Sequence, residues 1–142
     1  MTMILAGDIG ATKTLLEVGT LRQGRWHPAF GQRYVGADHP DFESVLRAFL
    51  LEWEAHHASP ATIARACFGV AGPVLDNRVQ MTNLPWLVDG DAVSAAFGIP
   101  HVRISNDFAA AASGIEMLQA ADLVTLQRGE PVLAAPRVVL GA

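Results

Sequence analysis

One cysteine, Cys67, stands among 142 residues, so no internal disulfide can form. Basic side chains are also scarce. Ten Lys and Arg against fourteen Asp and Glu leave a formal net charge of −4, and no basic run occurs. A mildly acidic surface gives no electrostatic reason to bind nucleic acid or an anionic membrane. No stretch approaches the roughly 18 apolar residues of a membrane span. The start, Met1-Thr2-Met3-Ile4-Leu5-Ala6, lacks both the basic region and the apolar length of a signal peptide. These absences predict a soluble, cytoplasmic chain, and the missing disulfide agrees with a reducing compartment. Charged residues make up only 17% of the chain and hydrophobic ones 51%, which excludes a disordered polymer and supplies one sizeable core.

Within that apolar content, the runs alternate with turn signals. Met3–Ala6 and Thr14–Val18 read as two strands joined by a tight loop at Gly7-Asp8-Ile9-Gly10. Phe30–Val35 reads as a third, antiparallel strand. His39-Pro40-Asp41 opens a helix, with proline in the first turn and Asp41 at the positive end of the dipole. Phe42, Val45, Leu46, Phe49, Leu50 and Trp53 follow at helical spacing and form one apolar face. His56 and His57 close this helix. Adjacent helical residues do not face one point, so the pair is read as a helix end and not as a metal site.

Ile63–Val70 has the composition of a central strand, and Cys67 within it is expected to pack as a small buried hydrophobe. Asp76-Asn77 reads as a turn and Val79–Thr82 as a short strand. Asp91–Phe97 reads as a helix stopped by Gly98 and Pro100, and His101–Ser105 as a strand. Phe108–Ile115 is a helix of small residues. Val138-Val139-Leu140 reads as the start of a further strand, running into Gly141-Ala142.

Four segments can carry chemistry. In Asp8-Ile9-Gly10-Ala11-Thr12-Lys13-Thr14, a carboxylate ends a strand and a hairpin offers backbone N–H groups and a hydroxyl. Such a hairpin can hold a phosphate, with the Asp near a magnesium ion through water. It can equally be a plain turn. It is neither a Walker loop nor a dinucleotide fingerprint. In Ser105-Asn106-Asp107, Asp107 stands at a helix N-terminus, where the dipole favours its ionised form. It can orient a sugar hydroxyl and take its proton, with Asn106 bonding further hydroxyls; the other reading makes one of the two a helix cap. In Thr82-Asn83-Leu84-Pro85-Trp86, the amide and the indole either line a sugar pocket or form a loop anchored by a buried Trp. The glycines of Gly69-Val70-Ala71-Gly72-Pro73 allow close approach of backbone to a ligand, or simply turn the chain.

Taken together, these segments resemble the bacterial glucokinases of the actin/Hsp70/sugar-kinase superfamily. Leu5–Thr14 is similar to that family's first phosphate motif. Gly69–Val74, Met81–Trp86 and Ile104–Ala110 match further family segments in order, and Val138–Ala142 is similar to the strand entering its second, Gly-Thr-Gly phosphate loop. The resemblance spans the whole chain. It implies an α/β fold, a mixed β-sheet with flanking helices forming a ribonuclease H-like lobe of the actin/hexokinase superfamily. It also implies transfer of the γ-phosphoryl group of ATP, with Mg2+, to the 6-hydroxyl of glucose. Asp107 matches the catalytic base, Asn106 and Asn83 the sugar ligands, Asp8 the acidic residue near Mg2+, and Gly10, Ala11 and Thr12 the phosphate hairpin.

Two positions depart from the family pattern. Ala11 stands where a second glycine is common, which would strain the hairpin if that position needed positive φ. Lys13 replaces a common Asn and is expected to point to solvent. The resemblance further implies residues 1–118 as a small lobe, and 119–142 as a connection with the first strand of a truncated second lobe. Without that lobe, catalysis by this piece alone is not expected. Exposed apolar surface would favour self-association into a homo-oligomer. The rival readings are a non-catalytic sugar-binding or regulatory fragment, and another sugar kinase or ATPase of the superfamily.

Overall fold

The computed structural model describes residues 2–57, 62–130 and 132–140. Strands β1 (Thr2–Ile9), β2 (Lys13–Arg22) and β3 (Arg25–Val35) form an antiparallel meander. Helix α1 (Phe42–His56) follows, then β4 (Thr62–Val70), which pairs parallel to β1. Short strands β5 (Arg78–Gln80) and β6 (Leu87–Asp89) make a separate two-stranded sheet. Helix α2 (Gly90–Phe97) leads to β7 (His101–Asn106), parallel to β4, and helix α3 (Asp107–Gly114) leaves from its end. The main sheet therefore has the mixed order β3-β2-β1-β4-β7.

Side chains alternate across the pleat, and only one face of this sheet is thickly covered. On that face, Leu5 and Ile9 of β1, Leu16 and Val18 of β2, Phe68 and Val70 of β4, and Ile104 of β7 are buried. Phe42, Val45, Leu46, Phe49 and Trp53 of α1 are buried with them, and Phe42 meets Phe68 edge-on at 5.0 Å. The apolar stripe of α1 read from sequence is thus the stripe that packs. Its start differs: Asp41 is the N-cap, accepting from Ser44 N at 2.7 Å, and Pro40 precedes the cap instead of lying in the first turn. The His56 and His57 rings turn back to the carbonyls of Glu52 and Trp53, at 2.8 and 3.0 Å.

The opposite face carries Ile4, Ala6 and Asp8 beside Arg65, Cys67 and Gly69, and these beside His101, Arg103 and Ser105. Cys67 is exposed there, so the expectation of a buried cysteine fails. Its run is apolar, but its parity places it on the uncovered face. The crowding around it still pushes its thiol pKa up, and the charge of Arg103 offsets part of that rise.

The outer edge of β7 is closed by one side chain. The Asn77 amide donates to the Val102 carbonyl at 3.1 Å and accepts from Ile104 N at 2.8 Å, as a neighbouring strand would. It also donates to Asp91 at 3.0 Å, and its own backbone is left-handed, with φ of 58°. An unpaired edge invites association with other chains, and Asn77 blunts this one.

Beyond Gly114 the described residues form two 3-10 turns, Ile115–Met117 and Ala120–Asp122, and no further helix or strand. Val138–Leu140 has no strand partner, with Val138 and Leu140 exposed; a strand needs a neighbouring edge, and none reaches it. Gly141-Ala142, Met1 and Pro131 lie outside the described residues.

Candidate active site

Parallel pairing carries the C-terminal ends of β1, β4 and β7 to one rim. Asp8 is level with Gly69, and Gly69 with Ser105. Strand spacing places the backbones of Asp8 and Ser105 about 10 Å apart. Asp107 lies two residues beyond Ser105, at the first position of α3. The result is a cavity of about 460 Å3 lined by Gly7, Asp8, Gly69, Asp107, Phe108, Ala110 and Ala111. Two carboxylates that are 99 positions apart in sequence thus share one space, and small residues make up most of the remaining wall.

Local chemistry explains how Asp107 is held. Asn106 is the N-cap of α3: its Oδ1 accepts from Ala109 N at 3.1 Å. Its Nδ2 donates to the Gly72 carbonyl at 3.0 Å, which leaves one N–H for any other partner. The capping reading therefore describes Asn106, and Asp107 is the first residue inside the helix. Asp107 Oδ1 accepts from Phe108 N at 2.7 Å. Gly69 allows α3 to sit this low, since a Cβ there would lie 3.3 Å from Ala110 Cβ. Gly72 holds φ at 138°, a conformation that side chains resist.

The Gly10–Thr12 hairpin adjoins this rim but does not line the cavity. Gly10 N donates to Lys13 O at 2.9 Å and Thr12 O accepts from Gly36 N at 3.1 Å, so both ends of the turn are tied down. The N–H groups of Ala11 and Thr12 bond no carbonyl among the described residues, and Thr12 is exposed. Ala11 is absent from the positive-φ residues, so the replacement of glycine brings no left-handed strain. Lys13 is exposed.

Asn83 stands apart from both groups. It is exposed and lies outside the cavity wall, on a loop fixed by Trp86. Trp86 is fully buried, with its Nε1 donating to the His39 carbonyl at 3.3 Å and its ring close to Gly36. The indole is therefore the loop's anchor and does not form a sugar platform. Phe108, Ala110 and Ala111 were not singled out in sequence as wall residues. Their signal was the run of small residues after Asp107, which marks close packing without saying against what.

A magnesium ion usually keeps several waters and takes one or two carboxylates plus substrate phosphates. The exposed Asp8 carboxylate beside free hairpin N–H groups fits that mode. No cluster of three or more His, Cys, Asp or Glu side chains suited to a metal occurs among the described residues, so no all-protein cage is offered.

The glucokinase family model matches residues 5–142. The chain belongs to the glucokinase family. It is 40% identical to the glucokinase of Nostoc punctiforme over 143 aligned residues, covering 100% of this chain and 40% of that protein. It is 33% identical to that of Klebsiella pneumoniae strain MGH 78578, covering 97% of this chain and 40% of the relative. The crystal structure of a glucokinase from an Antarctic psychrotroph superposes with a TM-score of 0.79 at 25% identity, over 92% of this chain and 40% of that one. The fold is therefore that of the glucokinase over the part it covers, and this chain spans about 40% of its relatives' length. No helix among the described residues is long and apolar enough to cross a membrane.

Proposed function

We propose that this glucokinase-family chain is the sugar-facing lobe of an ATP-dependent hexose kinase, with glucose as the phosphoryl acceptor. The observation that carries the reading is the cavity shared by Asp8 and Asp107. In this reading Asp107 is the general base. Its Oδ1 is fixed by the Phe108 N–H, and its other oxygen remains to accept the proton of the sugar's 6-hydroxyl as that oxygen attacks the γ-phosphorus. Asn106 offers its remaining N–H to a neighbouring hydroxyl. Asn83 is assigned to the sugar side on the family pattern alone. The free N–H groups of Ala11 and Thr12 orient phosphate oxygens, and Asp8 would hold Mg2+ through water. When bound, Mg2+ would supply positive charge that neutralises the phosphates.

The cavity wall contains no Lys or Arg. Phosphoryl transfer needs positive charge around the transferring group, so cationic or further dipolar partners must come from outside this wall. By resemblance to the glucokinase family, residues 1–118 form the small lobe, 119–142 begin the connection to a second lobe, and the 142-residue chain alone is inactive. A reducing, cytoplasmic setting and association between copies belong to the same proposal.

The test fuses this chain to the remaining length of the Nostoc relative. Sugar- and ATP-dependent ADP release is then followed with glucose, mannose, fructose and N-acetylglucosamine. Loss of a positioned base typically lowers the rate by about 10²–10⁴. Asp107→Asn should therefore collapse kcat while leaving the KM for glucose within a few-fold. Near-normal turnover by that variant, or no preference for glucose, would overturn the assignment.

A further inference from the structure

We infer that Asn106 is the positioning residue of this site: its amide is a strut that ties the head of α3 to the Gly72 carbonyl and thereby sets where Asp107 stands. The inference rests on the reading of Asp107 as the base for its catalytic meaning, but the strut itself stands on geometry.

Asn106 uses both ends of its side chain within the chain. Oδ1 accepts from Ala109 N at 3.1 Å, and Nδ2 donates to Gly72 O at 3.0 Å. A helix cap needs only the first bond. The second reaches 34 positions back, to the loop that follows β4. Gly72 in that loop is held at φ of 138°, and a Cβ there would lie 3.0 Å from Val79 Cγ1. Beneath the same helix turn, Gly69 is the seat: a Cβ would lie 3.5 Å from Asp107 Cα and 3.3 Å from Ala110 Cβ. Asp107 is thus held from two sides, by the seat below and by the strut through the preceding residue. Its carboxylate then meets the Phe108 N–H at 2.7 Å. The Phe108 amide is therefore a reporter of the Asp107 side chain, and the Ala109 amide a reporter of the cap alone.

These two reporters separate positioning from capping. Asn106→Ser keeps a capping oxygen but cannot reach Gly72. In the 15N-labelled 142-residue chain, Ala109 should keep its hydrogen-exchange protection within about twofold. The Phe108 amide should exchange about five- to tenfold faster, the scale of one lost hydrogen bond. The Phe108 proton should also move upfield. An unchanged Phe108 amide would overturn the strut. If serine also releases Ala109, Asn106→Asp decides, because its carboxylate still caps Ala109 N but cannot donate to the Gly72 carbonyl. Phe108 must then shift while Ala109 stays protected, and a fixed Phe108 refutes the inference. Neither readout needs sugar or ATP. A fusion enzyme in which Asp107→Asn keeps normal turnover would remove the catalytic meaning while leaving the strut measurable.

Discussion

Replacing Asn77 by alanine should be among the most damaging single changes at a part-exposed polar residue of this chain. The side chain makes three hydrogen bonds, to Val102 O, Asp91 Oδ1 and Ile104 N. A net contribution of about 0.5–1.5 kcal/mol for each gives roughly 3 kcal/mol for the set. Alanine adds roughly 1 kcal/mol more, because φ at this position is 58° and only Gly, Asn and Asp visit that region readily. Glycine removes the hydrogen bonds without that backbone penalty, so Asn77→Gly should be the milder of the two by about 1 kcal/mol. Aspartate keeps the acceptor for Ile104 N but sets a carboxylate against the Val102 carbonyl and Asp91, so it should not rescue. Urea unfolding followed by far-UV circular dichroism measures all three variants. The reasoning fails if Asn77→Gly lies within about 0.5 kcal/mol of the parent, the range of an unremarkable surface change.

Thr14 is fully buried and its hydroxyl has no hydrogen-bond partner. Thr14→Val should therefore raise stability, by about 1 kcal/mol, since an orphaned polar group costs about 1–3 kcal/mol; a lower urea midpoint counts against it. Trp86→Phe removes the bond to the His39 carbonyl and part of the ring beside Gly36. It should cost about 2 kcal/mol and speed amide exchange in the 81–86 loop, and unchanged exchange would show that Trp86 does not anchor it. Burial, together with its bond and charge interaction with Glu52, holds the Tyr34 phenol well above its ordinary range. Cys67 is also raised. Both native pKa values exceed the unfolded ones, so their stabilising effect is complete at neutral pH. It is lost as pH rises past about 8.5 for the thiol and about 10 for the phenol. The urea midpoint should fall across that window, and Tyr34→Phe should flatten the upper part; a flat parent profile from pH 9 to 11 contradicts this.

Local signals were legible wherever they depended on neighbours in the chain. The 3.6-residue spacing from Phe42 to Trp53 named the packed side of α1, and Gly98 ended α2 where its position suggested. The existence of a hairpin after β1 and the helix beginning at Asp107 were also readable, but the loop read at Gly7–Gly10 lies too early: cross-strand pairing with β2 carries β1 on through Ile9, and the turn is residues 10–12. Strand β6 was not readable, since three residues, Leu87–Asp89, hold too little alternation to register. Asn77 read only as a turn residue, because its partners lie 14 to 27 positions away.

Sequence by itself therefore determined most of the elements, the apolar face of α1 and the family to which the ordered motifs belong. Tertiary structure alone decided three things. It put Cys67 on the uncovered side of the sheet, because alternation says which residues share a face but not which face receives a helix. It buried Trp86 as an anchor while leaving Asn83 in solvent. And it brought Asp8 and Asp107 to one cavity, because only parallel pairing through β4 makes the ends of β1 and β7 neighbours.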